Sequence, residues 1–185
     1  MSTEQKTVAF LVATEGTEEI ELTDPWAAVR NAGHEPVLVS TEEGTIQAFN
    51  HLDRAGTHPV DRTVDAVGVD DFDALVLPGG VANPDALRMN PQAVGFVRDF
   101  VRSGKPVASI CHAAWTLVEA DVVKGRRLAA FPSVQTDIRN AGGEWVDERV
   151  VVDGNLISSR NPDDLPAFNG AIAEALAHGD AASPA

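Results

Sequence analysis

This 185-residue chain holds one cysteine, Cys111, and a histidine follows it directly in the stretch VASICHAAW at 107–115. A thiol beside an imidazole is the pairing that nucleophilic catalysis uses, because the thiolate attacks and the imidazole can take its proton. The apolar run Val107 to Ile110 reads as a buried strand, and the segment after Cys111 reads as helix to about Ala120. The cysteine therefore falls on a sharp strand-to-helix turn, where a side chain is held out in the manner of a nucleophile elbow. It also faces the positive end of the following helix, which predicts a preference for thiolate over thiol. The flanking residues are Ser109 and Ala113 rather than the glycines of G-x-S-x-G, so this is not the ordinary esterase elbow. Consecutive side chains diverge, so His112 needs an orienting acid from elsewhere to complete a triad.

Two other stretches carry groups suited to the same chemistry. Glu15-Gly16-Thr17-Glu18-Glu19 follows the first apolar run. With Glu21, these carboxylates read on composition as a solvated helix start, where acid is stabilising in any case. A carboxyl placed against Cys111 would behave otherwise: two adjacent negative charges repel, so it keeps its proton and donates to the sulfur. Pro78-Gly79-Gly80 closes another apolar run, and its free N–H groups, with the amide of Ala113, are candidates for an oxyanion hole. A plain tight turn explains the same glycines. The remaining histidines, His34, His51, His58 and His178, have no catalytic setting and read as surface residues. No His and carboxylate spacing suits a metal, and no cofactor is implied.

The elements that must position these groups alternate between strand and helix. Thr7 to Ala13, Pro36 to Ser40, Ala74 to Leu77 and Val107 to Ile110 read as buried strands. Helices are expected from Thr23-Asp24-Pro25 to Ala32, from Pro91 to Ser103, from a Ser133 cap to Ala141, and from Asp163 or Asp164 to Ala177. Short pieces at 44–69 suggest a small antiparallel excursion, and Asp153-Gly154-Asn155 marks a hairpin. This pattern predicts a single α/β domain over 1–178, with a mostly parallel sheet flanked by helices on both faces, flavodoxin-like, and a tail at 179–185. Ligands of such a sheet bind beyond the carboxyl ends of its strands, so the three loaded turns are expected to converge.

Composition narrows the partners. The formal charge is −14, from 28 acidic and 14 basic residues, which disfavours nucleic acid and anionic lipid. No apolar run approaches a membrane span, and the polar N-terminus predicts no secretory leader, so a cytoplasmic protein is expected. A single cysteine forms no internal disulfide, which fits a reducing compartment.

Taken together, EGTEEIEL, FDALVLPGG at 72–80, GKPVASICH at 104–112 and NAGGEWVDERVVVDGNLISSRNPDDLPAF at 140–168 resemble the PfpI-type intracellular proteases, in the superfamily that also contains the protein DJ-one. The last stretch looks most like the general-stress branch. The resemblance implies Cys111 as nucleophile, His112 as base and Glu18 as the protonated carboxyl at the sulfur. It also implies that Asp85, from a second subunit, orients the histidine, and hence a homodimer or a hexamer. Two departures stand out: Ala113-Ala114 replaces the family's Gly-Pro after Cys-His, and Asp85 stands where Glu is usual. The extra methyl groups predict a site too tight for extended peptide and suited to a small carbonyl. The related class-I glutamine amidotransferases need a later His-x-Glu, whereas here His178 precedes Gly179 and Asp180. What the resemblance implies is a cofactor-free enzyme acting on reactive carbonyls, of glyoxalase or deglycase type. The alternatives are a cysteine peptidase, and a redox sensor or chaperone that works by oxidation of Cys111.

Overall fold

Apolar runs with no polar alternation bury both faces, and here they form the middle of one sheet. The computed structural model describes residues 4–178, so the expected tail at 179–185 lies outside the described residues. The first half of the chain contains β1 (Thr7–Leu11), β2 (Glu15–Glu18), α1 (Glu19–Asn31), β3 (Glu35–Ser40), β4 (Thr45–Asn50) and β5 (Asp53–Pro59). Then come β6 (Arg62–Thr63), β7 (Ala74–Leu77), α2 (Ala82–Leu87), α3 (Pro91–Arg102), β8 (Val107–Ile110) and α4 (Ala114–Glu119). The last third holds β9 (Arg127–Leu128), α5 (Gln135–Asn140), β10 (Glu144–Trp145), β11 (Val151–Asp153), β12 (Leu156–Ser159) and α6 (Leu165–Ala177).

Seven strands form the main sheet in the order β11-β12-β8-β7-β1-β3-β6. Every neighbouring pair is parallel except the β11–β12 hairpin. The expected mostly parallel sheet with helices on both faces is what forms. Alternation along β1 shows how the layers divide. Val8, Phe10 and Val12 pack with Leu22 and Val29 of α1 and with Phe168 and Ile172 of α6. Ala9, Leu11 and Ala13 pack on the other face with Val97 and Phe100 of α3 and Leu117 of α4. The excursion at 44–69 contains the antiparallel pair β4–β5, and β2 adds to it as a parallel edge.

Two boundaries differ from expectation in ways that matter for the site. Helix α1 begins at Glu19 rather than Thr23, so Pro25 lies inside it. Thr-Asp-Pro has the composition of a helix start, but the buried stripe Glu21, Leu22, Pro25 and Val29 carries the helix one turn further back. Ser133 was expected to cap a helix, yet it sits in a 3-10 turn at Pro132–Val134 and its side chain caps nothing. His34 is not a surface residue: it is buried, and its Nδ1 accepts the Lys6 N–H at 3.2 Å. Among the described residues, no helix is long and apolar enough to cross a membrane.

Candidate active site

Strand β7 lies between β1 and β8, so the turns that follow these three strands meet at one edge of the sheet. Asn83, fully buried, stitches two of them together. Its Oδ1 accepts the Ala13 N–H at 2.7 Å, and its Nδ2 donates to the carbonyls of Pro78 at 2.9 Å and Gly79 at 3.1 Å.

Cys111 sits on the third turn with φ +63°, in the left-handed region. For a residue with a Cβ this costs about 1–2 kcal/mol, so the surroundings must hold it there. β8 leads into the turn, and the Phe131 N–H donates to the Cys111 carbonyl at 3.1 Å. The strand-to-helix elbow expected from sequence is therefore present, but the thiol on it is buried, only 7% exposed. Burial pushes its pKa up, while the N–H groups of His112 and Gly80 pull back. The expected preference for thiolate is thus overridden. The elbow opens with a single 3-10 turn, Cys111–Ala113, and α4 adds only Ala114–Glu119, so its dipole is short beside the desolvation.

The carboxyl at the sulfur belongs to Glu21, not Glu18. Glu21 is 0% exposed, and its neighbours at the site are the Cys111 thiol and the Gly80 N–H. Neither carboxyl oxygen finds a partner of regular hydrogen-bond geometry. Burial, with repulsion from Glu18 second, pushes the Glu21 pKa up to about 8. The carboxyl thus holds its proton at neutral pH, as expected of an acid in this position, but the residue is one helical turn further on. Glu18 turns outward instead, and its Oε2 accepts the His51 N–H at 3.1 Å. The cause is the start of α1. With the helix beginning at Glu19, position 21 joins the inward stripe and position 18 does not.

His112 does face the thiol, with Nδ1 3.1 Å from Sγ. On its other side, Nε2 lies 3.1 Å from Ser133 Oγ. The ring stacks on Phe131 at 4.5 Å between centroids and meets the edge of Trp115 at 5.2 Å. Burial lowers its pKa, so the imidazole is neutral at neutral pH and free to act as a base. Ser133 reads from sequence only as a helix cap, and no local pattern ties it or Phe131 to a histidine about twenty residues upstream.

Gly79 must be glycine for room. A Cβ there would stand 2.7 Å from Cys111 Cβ and from the Ile110 carbonyl, and 2.8 Å from Glu21 Oε1. Its own carbonyl accepts from the Glu18 N–H at 3.4 Å and from Asn83 Nδ2 at 3.1 Å. Gly80 has φ +84°, and its N–H lies close enough to Cys111 and Glu21 to favour their charged forms. The side chains of Ala113 and Ala114 are buried in the core under α3 and α4, on the far side of the sheet from Cys111. Their methyl groups therefore do not narrow the site as expected, and only the backbone of Ala113 remains a candidate contact. Asp85 is exposed on α2, and among the described residues no hydrogen bond or ion pair joins it to His112.

An α/β sandwich whose single thiol sits on a strained turn, between a protonated carboxyl and a neutral imidazole, belongs among the cysteine-elbow proteins. More narrowly, the chain belongs to the DJ-1/PfpI family, whose model matches residues 6–175. It is 46% identical to a deglycase of Pyrococcus horikoshii over 87% of this chain and 93% of that one. It is 44% identical to the protein/nucleic acid deglycase 2 of Escherichia coli over 89% of this chain and 94% of that one. Among solved structures, Drosophila melanogaster DJ-1beta superposes with a TM-score of 0.84 at 29% identity, covering 94% of this chain and 91% of that one.

Proposed function

We propose that this protein is a cysteine-dependent deglycase acting on reactive dicarbonyls and their early amine adducts. The observation that carries the reading is the thiol of Cys111 held 3.1 Å from a neutral imidazole, with a protonated carboxyl on its other side. His112 takes the thiol proton at Nδ1, and the sulfur adds to the aldehyde carbon of methylglyoxal to give a hemithioacetal. A proton then moves from the first carbon to the second, which leaves a lactoyl thioester, and water hydrolyses it to lactate and the free thiol. An early adduct enters one step later: the thiol displaces the amine from the adduct carbon, and its proton leaves with the amine. Glu21 stays neutral throughout and donates toward the sulfur whenever it is anionic, so it supports the thiolate without adding a second charge.

A second copy of this chain completes the proposal. Asp85 stands exposed on α2, with the exposed apolar side chains of Val81 and Met89 on the same segment, as suits a surface that another copy covers. In that homodimer the partner's Asp85 would approach His112 from the Nε2 side, where Ser133 is exposed. The protein is proposed to work in the cytoplasm, where reducing conditions keep its one thiol free. Its charge of −14 favours small carbonyls and glycated protein amines as substrates. Nucleotide adducts are the second class to assay, since a relative is named for both.

The test is lactate formation from methylglyoxal by the wild type, Cys111→Ser and Asp85→Ala. Turnover that disappears in Cys111→Ser is expected, with a clear reduction in Asp85→Ala. A wild type no faster than the serine variant would overturn the enzyme reading. Unchanged turnover in Asp85→Ala would remove the inter-subunit acid and leave the cysteine chemistry standing.

A further inference from the structure

We propose that Ser133 is a positioning residue for His112, accepting its Nε2–H and so keeping Nδ1 bare toward the thiol. The inference deepens the cysteine-enzyme reading above and rests on it for the role of His112. A neutral imidazole carries one N–H, and both ring nitrogens of His112 have a partner: Cys111 Sγ at Nδ1 and Ser133 Oγ at Nε2, each at 3.1 Å. Only the tautomer protonated at Nε2 leaves Nδ1 able to receive the thiol proton, and in that tautomer Ser133 must accept. When the transfer occurs, the S–H bond breaks, its electron pair stays on sulfur, and a new N–H bond forms at Nδ1. The ring is then cationic, and its Nε2–H bond to the hydroxyl strengthens because the donor is charged. Ser133 thus holds the ring and also makes it more basic as the proton arrives.

The placement of Ser133 is built into the elbow. Phe131 donates its N–H to the Cys111 carbonyl at 3.1 Å and stacks its ring on His112, two residues before the serine. Pro132 opens the 3-10 turn that aims the hydroxyl back, and that hydroxyl serves no helix cap. Among the described residues of the same chain, no other group bonds the ring nitrogens. Trp115 spends its Nε1–H on Asp137 at 2.9 Å, and Arg88 lies over the Trp115 ring at 5.9 Å. The charged groups around the histidine are therefore Glu21 beyond the sulfur, and Arg88 and Asp137 beyond Trp115, while burial is what lowers the His112 pKa.

Ser133 is exposed, so substituting it leaves the core intact. The single cysteine makes alkylation by iodoacetamide a direct readout of thiolate formation. In Ser133→Ala the alkylation rate at neutral pH is expected to fall about tenfold, the worth of one hydrogen bond to a charged group, and its midpoint to move to higher pH. Ser133→Thr should restore both, and in turnover kcat should fall with KM unchanged. Nitrogen-15 shifts of His112 should report protonation at Nε2 in the wild type and a mixed tautomer in Ser133→Ala. An unshifted alkylation profile in Ser133→Ala, or an Nδ1-protonated ring in the wild type, would overturn the proposal. If the profile shifts while even the wild type makes no lactate, the carbonyl reading fails and the role of Ser133 stands.

Discussion

Burying Glu21 as a neutral acid should leave a large pH signature on stability. Its pKa is about 8 in the folded chain, against 4.5 for an ordinary glutamate side chain. Between these values the unfolded chain releases a proton that the folded chain keeps. A folded pKa raised above the unfolded one gives stability that is complete below the unfolded pKa and is lost as pH rises through the folded one. The full difference would be worth roughly 5 kcal/mol, at about 1.36 kcal/mol for each tenfold change in proton affinity. From pH ~5.5 to ~8, a range above the isoelectric point of about 4.6, the loss attributable to Glu21 comes to roughly 3 kcal/mol. Glu21→Gln has nearly the same shape and does not titrate, so it removes this slope and leaves every other carboxylate as it was. The assay is urea unfolding of the two proteins at several pH values and equal concentration, both in the Cys111→Ser background to remove thiol titration. The stability of Glu21→Gln relative to its parent should rise by about 3 kcal/mol across that range, whatever the constant offset at the acid end. Parallel curves would mean that Glu21 is ionised in the folded chain, and the account of the sulfur's neighbour would be wrong.

Two further outcomes follow from the packing. Gly79→Ala pushes a methyl group to within 2.7 Å of Cys111 Cβ and the Ile110 carbonyl, so a loss of about 1–3 kcal/mol by thermal or urea unfolding is expected, with slower Cys111 alkylation. Full stability and reactivity in that variant would show that the turn yields more easily than its geometry implies. Asn83→Ala leaves the buried Ala13 N–H without its 2.7 Å acceptor and the Pro78 carbonyl without its 2.9 Å donor, while the Gly79 carbonyl keeps only its 3.4 Å donors, the Glu18 N–H and the Thr17 hydroxyl. About 2–4 kcal/mol of destabilisation is expected by urea unfolding, and a change below about 0.5 kcal/mol would show that the stitch between these turns is dispensable.

Periodicity and turn chemistry made much of the architecture legible. Runs such as TVAFL, ALVL and VASI read as buried strands because every side chain apart from Thr7 and Ser109 is apolar, and Gly or Pro marks most of their ends. The elbow at Cys111 was legible for the same reason, since an apolar strand leading into a helical segment leaves the residue between them on the turn. Elements without a local signature escaped. EGTE becomes β2 only because β4 lies beside it, and α1 starts early because tertiary burial of Glu21 and Leu22 outweighs the start signal at Thr23-Asp24-Pro25.

Before any folding, the chain already names the reacting atoms: one thiol, an adjacent imidazole, and acids and glycines at the ends of apolar runs. Residue type and chain order are enough for that. Which acid reaches the sulfur, and what state the thiol is in, depends on packing. A shift of one helical turn exchanges Glu18 for Glu21, and burial, a property of the packed whole, outweighs the short helix after Cys111. Packing also decides that His112 turns to the thiol and rests against Ser133, a contact between residues twenty-one positions apart that no local pattern encodes.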